Sequence, residues 1–301
     1  MEAQVVDVVT ARGPRTGAEL AGEVRGDTFA LWKACLLSPR LEVRRVGRRY
    51  VRLDRRVPGF TRLSPSILRE FLTYCVVGLS GDRAALDARA EKVQAHVRDV
   101  TRKKSVLARQ IMEDVAAAVA EGDGPENRYC AVLAGDIVHG MAHDVDRPER
   151  STGSMVDGSD LDIVVLVTDD APPALVRALD STIYQKKYQY LKNPAFREEI
   201  DYVVKRLRTL REQMEFDTFK HMVACKIFDE AVLLTGSEEL FATGKALLDE
   251  FGVTVRLREM EQVAIADRDR QQRHLLDTDE RLLGRDDLLL FHTDEESEEF
   301  E

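Results

Sequence analysis

Two aspartates two residues apart, Asp160 and Asp162, sit where Gly158-Ser159 runs into Leu161-Asp162-Ile163-Val164-Val165-Leu166-Val167. The run is short, apolar and rich in β-branched residues, so it reads as a buried strand. Side chains alternate along a strand, which puts both carboxylates on one face. Two like charges at the mouth of an apolar strand are unfavourable unless something positive binds them. Hard divalent cations take carboxylate oxygens, and a magnesium ion carrying a nucleotide is the chemistry this pair invites. The pattern alone is common, and it equally describes two solvated aspartates at the end of a strand.

The residues on either side narrow the choice. Upstream, Tyr129-Cys130-Ala131-Val132-Leu133-Ala134 reads as a strand that ends in Gly135-Asp136-Ile137-Val138-His139-Gly140. A strand, a glycine turn, a loop and then Gly158-Ser159-Asp160-Leu161-Asp162 followed by apolar residues resembles the nucleotidyltransferase superfamily. The likeness is to its polymerase-β-like, minimal nucleotidyltransferase members, and it covers roughly residues 130 to 250. It implies a mixed-sheet fold and transfer of an NMP group from an NTP, ATP foremost, to a hydroxyl. The acceptor would be a protein, an RNA end, a small molecule or another nucleotide, in a toxin–antitoxin or phage-defence setting.

The resemblance also implies roles. Asp160, Asp162 and a third acid would hold two Mg²⁺ ions, which Mn²⁺ can replace, and Gly135, Asp136, Gly140 and Ser159 would bind the nucleotide. The family pattern at the turn is Gly-Ser-x-x-x-Gly, and Asp136 stands where it has serine. A carboxylate there would repel phosphates unless a cation lay between them. The third acid is expected at Asp217, in a short alternating segment ahead of a helix (221–230) and an apolar strand ending in Gly236. Asp201 is the alternative. Ile200, Val203, Val204, Leu207, Leu210 and Met214 form a helical stripe that would make Asp201 a surface helix residue.

The loop from Met141 to Ser154 reads as an exposed insertion, although its Arg147 and Arg150 could pair with phosphates. His139 and His143, four apart with Asp144 and Asp146 nearby, suit a solvated acidic loop better than a zinc site.

The elements that must carry these residues divide the chain into four stretches of an α+β protein. Residues 1–57 hold 12 Lys and Arg against 7 Asp and Glu, a local net of +5 in a chain of net −10. Thr16-Gly17-Ala18-Glu19 has the form of a capping box, and Asp27 or Thr28 can cap a further helix to Leu37. Leu41–Val46 and Arg49–Leu53 would form a hairpin about Gly47-Arg48. Helix, helix-turn-helix and basic hairpin together look like a winged-helix domain, which implies DNA contact through residues 1–57. Trp32 is expected in its core.

Residues 58–128 read as a helical connector, compatible with a homodimer arm. One helix starts at Ser64-Pro65 and carries Ile67, Leu68, Phe71, Leu72, Cys75 and Val76 at helical spacing, and a charged one runs on to about Ala120. Residues 129–255 are the transferase-like domain, and 256–301 a C-terminal helix with an acidic tail from Asp294 to Glu301. The four cysteines are scattered among apolar residues and suit buried thiols. No apolar run approaches membrane-spanning length and no leader pattern opens the chain, which points to a cytoplasmic protein with no membrane partner.

Overall fold

Capping residues and apolar spacing account for the first helices. A computed structural model of the chain describes residues 1–120, 127–149 and 152–293. It is mixed α and β with several small sheets. Packing separates it into two compact units built from non-contiguous segments: 1–52, 61–97 and 261 onward in one, 53–60 and 98–260 in the other.

The first unit begins with α1 (Glu2–Arg12), β1 (Arg15–Thr16), α2 (Gly17–Glu23) and α3 (Thr28–Leu37). The expected capping box is formed. The Glu19 amide donates to Thr16 Oγ1 at 3.2 Å, and the Thr16 amide donates to Glu19 Oε2 at 2.7 Å. Asp27 caps α3 by accepting from the Ala30 amide. Trp32 is a core residue, 2% exposed, packed against Phe29 and Phe291.

The expected hairpin about Gly47-Arg48 does not form. Strands β2 (Leu41–Arg45) and β3 (Tyr50–Leu53) lie in different sheets, β3 pairing with β4 (Thr61–Ser64). The partner of β2 is β5 (Cys75–Leu79), which also takes β1 on its other edge, giving the order β1-β5-β2. Leu79 and the fully buried Val77 of β5 stand opposite Leu41 and Val43, whereas β3 carries the charged Arg52 between its apolar residues. The same strand corrects a second expectation. Between β4 and β5, α4 (Ile67–Tyr74) begins after the Ser66 cap rather than at Pro65, and stops before Cys75. The helical spacing continues through Val76, but β-branched Val76-Val77 is taken by the sheet.

Many arginines of this basic stretch are engaged within the unit. Arg44 pairs with Glu42 and Asp87, while Arg45 and Arg49 pair with Glu70. The charged helix expected after Gly81 is present as α5 (Arg83–Val119), which contributes to both units.

The second unit contains β6 (Tyr129–Leu133), β7 (Asp146–Pro148), β8 (Met155–Asp157), β9 (Leu161–Val167), α6 (Pro173–Lys192) and β10 (Ile200–Arg206). These are followed by α7 (Leu207–Gln213), α8 (Phe219–Glu230), β11 (Val232–Gly236), α9 (Glu238–Glu250) and α10 (Val253–Asp277), which like α5 contributes to both units. The sheet order is β10-β9-β6-β11, with β10 parallel to β9 and the other pairs antiparallel. Alternate residues of β9 enter different cores. Ile163 and Val165 pack with Ile111, Val115, Leu179 and Ile183, whereas Val164 and Leu166 pack with Leu210, Phe228 and Leu247. Helices therefore cover both faces.

Here the structure overturns the helix expected across 200–214. Residues 200–206 pair with β9 at all seven positions, and only Leu207–Gln213 is helical. Tyr202, Val203 and Val204 are strand formers, and the change to Leu, Arg, Glu and Gln at 207 marks where the helix can begin.

The first unit closes with α11 (Arg285–Phe291), whose Phe291 enters the core around Trp32. The Glu121–Pro125 turn cluster, Arg150 and the acidic tail lie outside the described residues. Among the described residues no helix is long and apolar enough to cross a membrane.

Candidate functional site

The carboxylates come together at one end of two parallel strands. Asp162 lies on β9 and Asp160 just before it, so both face the same side of the sheet. In the parallel register Asp201 of β10 is the direct partner of Asp162. Directly paired residues share a face, which makes Asp160, Asp162 and Asp201 one row of three acids.

Asp217, expected as the third acid, is elsewhere. It falls in the turn between α7 and α8, is 64% exposed, and pairs with His221 at 2.7 Å. The segment around it is not a strand, because Phe219 already belongs to a helix that Thr218 caps through the His221 amide. The structure thus brings Asp201, and not Asp217, beside the pair.

The glycine turn fits against this row. Gly135 follows β6 with φ +74°, and a Cβ added there would collide with Asp162 Oδ2. Only glycine lets the backbone approach that carboxylate so closely. The neighbouring Asp136 accepts a hydrogen bond from Ser159 Oγ at 3.1 Å, and Ser159 Oγ accepts from the His143 amide at 3.1 Å. Asp136 and Ser159 therefore tie the turn to the segment that leads into β9. Gly140 ends the turn with φ +69°.

A further acid is present that sequence reasoning missed. Glu230, at the end of α8, accepts from the Gly135 amide at 3.0 Å and lies 2.6 Å from His139 Nε2, with Lys226 also paired to it. Nothing in its spacing marked it. It stands at an ordinary helix end and reaches the turn only because β11, which follows it, pairs with β6.

Burial and like charge act together on the pair. Burial is the largest cause raising the Asp162 carboxyl well above its ordinary value, and Asp160, Asp136, Asp201 and Glu230 push it further. Asp160 is raised chiefly by burial, partly offset by Arg147, with Asp136 and Asp201 adding to the rise. Glu230 goes the other way: hydrogen bonding with His139 and the charge of Lys226 outweigh its burial and hold it below the usual range.

The Met141–Ser154 loop is not a free insertion. It folds into the β7–β8 hairpin, with Arg147 only 14% exposed and 2.7 Å from Glu199. Lys187 on α6 pairs with Asp201 at 3.0 Å.

Among the described residues, no three His, Cys, Asp or Glu side chains already converge as an ion cage, around His139 and His143 or elsewhere. The donor chemistry of Asp160, Asp162 and Asp201 nonetheless fits a hard dication. All three supply carboxylate oxygens on one face, and the charge of the pair is opposed by its surroundings until a cation relieves it. No family model matches the chain, and neither does any curated protein or solved structure.

Proposed function

We propose that the chain is a Mg²⁺-dependent nucleotidyltransferase that moves an NMP group from an NTP to a hydroxyl acceptor. The observation that carries the reading is the in-register pair of Asp162 and Asp201 with Asp160 just ahead of it, beside a Gly135 turn whose left-handed φ and close approach to Asp162 favour glycine. Asp160 and Asp162 would hold the metal, and Mn²⁺ would serve in place of Mg²⁺. Bound there, the ions would neutralise charge on the α-phosphate and the outgoing pyrophosphate and lower the pKa of the attacking hydroxyl.

The chain's own residues supply the positioning. Asp201 stands next to Asp162 and is suited to accept the acceptor's proton. Gly135 lets the turn lie against Asp162, and Ser159 keeps the Asp136 carboxylate directed along the turn. Lys187 offers a positive charge beside Asp201, where an anionic acceptor would approach.

One observation favours a second reading, a regulator whose transferase-like domain senses nucleotide without turnover. The Gly135 amide, at the turn where the resemblance expects nucleotide, donates here to Glu230, and Asp136 adds another carboxylate. In that reading the first unit contacts DNA. Its order of helix, strand, two helices and strand, with the sheet order β1-β5-β2, supports a winged-helix arrangement in which residues 46–74 replace a simple wing.

Incubation with each labelled NTP and Mg²⁺ separates the two. The transferase reading expects pyrophosphate release that disappears in Asp160→Ala. Silence with all four NTPs, in a protein that still binds one of them, would establish the sensor instead.

A further inference from the structure

The β7–β8 hairpin carries a cation to the carboxylate row. Arg147 Nε donates to the Gly158 carbonyl at 2.8 Å, Nη1 lies 2.7 Å from Glu199 Oε2, and Nη2 lies 3.7 Å from Asp160 Oδ2. The guanidinium is mostly covered, so these charges meet in a partly dry setting where attraction exceeds that at a surface. Its charge also works against the rise of the Asp160 carboxyl.

The hairpin has fastenings of its own. Arg197 pairs with Asp146 at 3.2 Å and with Asp157, and the Asp157 amide donates to the Arg197 carbonyl at 2.9 Å. Lys104 reaches Glu198 at 2.7 Å and the Asp157 carbonyl at 2.7 Å. Arg147 is therefore not required to hold β7 and β8 in place, and its contact with Asp160 calls for a different account.

We infer that Arg147 is a built-in counter-cation of the dication site: it neutralises Asp160 and Glu199 while the ion is absent, and must leave Asp160 for the ion to bind. The inference rests on the transferase reading of the carboxylate row. A dication and a guanidinium sharing one carboxylate repel each other, so the two compete for Asp160. Glu199 is the nearer partner and serves as the pivot on which Arg147 remains. Once it leaves Asp160, its planar fork of donors is available to the phosphates of the incoming nucleotide. This couples the two ligands. Metal alone binds against the arginine, whereas metal with nucleotide gives the arginine a new anion.

The test is titration of the purified full chain with Mn²⁺ alone, following free Mn²⁺ by electron paramagnetic resonance. Arg147→Ala should bind Mn²⁺ about three- to tenfold tighter than the wild type, the size of one partly screened ion pair. Arg147→Lys should fall between the two. Arg197→Ala removes an equal charge that pairs with the same hairpin and should change the affinity less than about twofold, as expected for a charge farther from the pair. In the presence of a non-hydrolysable NTP the order should reverse, with Arg147→Ala binding the nucleotide more weakly.

Unchanged or weaker Mn²⁺ binding by a folded Arg147→Ala overturns the inference, as does an equal gain in Arg197→Ala. If Arg147→Ala fails to fold, Arg147→Gln keeps a donor for the Gly158 carbonyl and gives the same reading. Asp160→Ala separates the levels. If it binds Mn²⁺ as the wild type does, the dication site itself is wrong. If it loses binding while Arg147→Ala matches the wild type, only the role of Arg147 is wrong.

Discussion

Two acids, one in each unit, have opposite surroundings. Glu70 is 8% exposed and meets Arg49 in a two-point contact at 2.6 and 2.7 Å, with Arg45 at 3.6 Å and Arg268 at 3.7 Å. Among the described residues Asp162 has no such company. The groups that perturb it are Asp160, Asp136, Asp201 and Glu230, all acids. Glu70 is over-compensated by its own chain, and Asp162 is left to be compensated by something that binds. A buried charge whose partners are built in serves the fold. One crowded by like charges costs stability, and such a cost persists where a ligand relieves it.

This contrast can be broken in several ways. The largest effect should come from Asp162→Asn. On the transferase reading it removes about 10³-fold or more of the turnover, the scale on which single electrostatic groups act in such sites, and pyrophosphate release measures it. The substitution should leave the protein folded, because the charge it deletes is opposed by its neighbours.

Glu70→Ala should do the reverse. It leaves Arg49 and the 3%-exposed Arg268 without their acid, at a cost of about 3–5 kcal/mol in a denaturant melt. Nucleotide chemistry per folded molecule should be unaffected.

A third test uses a buried base in the same sheet as the acids. Burial pushes the Lys205 ammonium down to about 8, and its Nζ donates to Gln213 Oε1 at 2.8 Å. In the unfolded chain a lysine titrates near 10.4. Between those values the unfolded state binds more protons, so this group makes stability rise with pH from about 8 to about 10. The contribution is flat below that window. Lys205→Met should remove the rise and stabilise the protein at neutral pH, which parallel melts at pH 7 and 9.5 would register.

Gly135→Ala is smaller. A left-handed φ costs a non-glycine residue about 1–2 kcal/mol, and the methyl also displaces the Asp162 carboxylate. Turnover should therefore fall further than the melting temperature alone implies. Asp217→Ala should be the smallest, within about 0.5 kcal/mol of wild-type stability and with unaltered turnover, since an exposed pair with His221 contributes little.

Much of the second unit's sheet was legible because local signals agreed there. The run after Asp160 had β-branched residues, a glycine start and the right length, and it is a strand. Tyr129–Leu133 and Val232–Gly236 were readable for the same reason. The 200–214 stretch was not, because its apolar residues satisfy a helical stripe while its first half is claimed by β9. A seven-residue parallel register is a long-range fact that local spacing does not carry, and without it Asp217 was favoured over Asp201, the acid that stands beside Asp162. The N-terminal hairpin failed similarly, since β2 found a more apolar partner thirty residues on. Glu230 was hidden for a related reason: it is an unremarkable charge at a helix end until folding brings it to the turn. Arg147 was noticed as a possible phosphate partner, but its contact with Asp160 was not legible.

The most direct test compares the thermal response of the wild type and Asp162→Asn to Mg²⁺ plus a non-hydrolysable NTP. Without ligand, Asp162→Asn should melt about 2–4 °C higher, the shift that ~1 kcal/mol produces in a domain of this size. Saturating Mg²⁺ and nucleotide should then raise the wild type and leave the variant unmoved. Equal ligand-induced shifts in both proteins, or a variant that melts lower than the wild type without ligand, would contradict the claim that this acid awaits a cation.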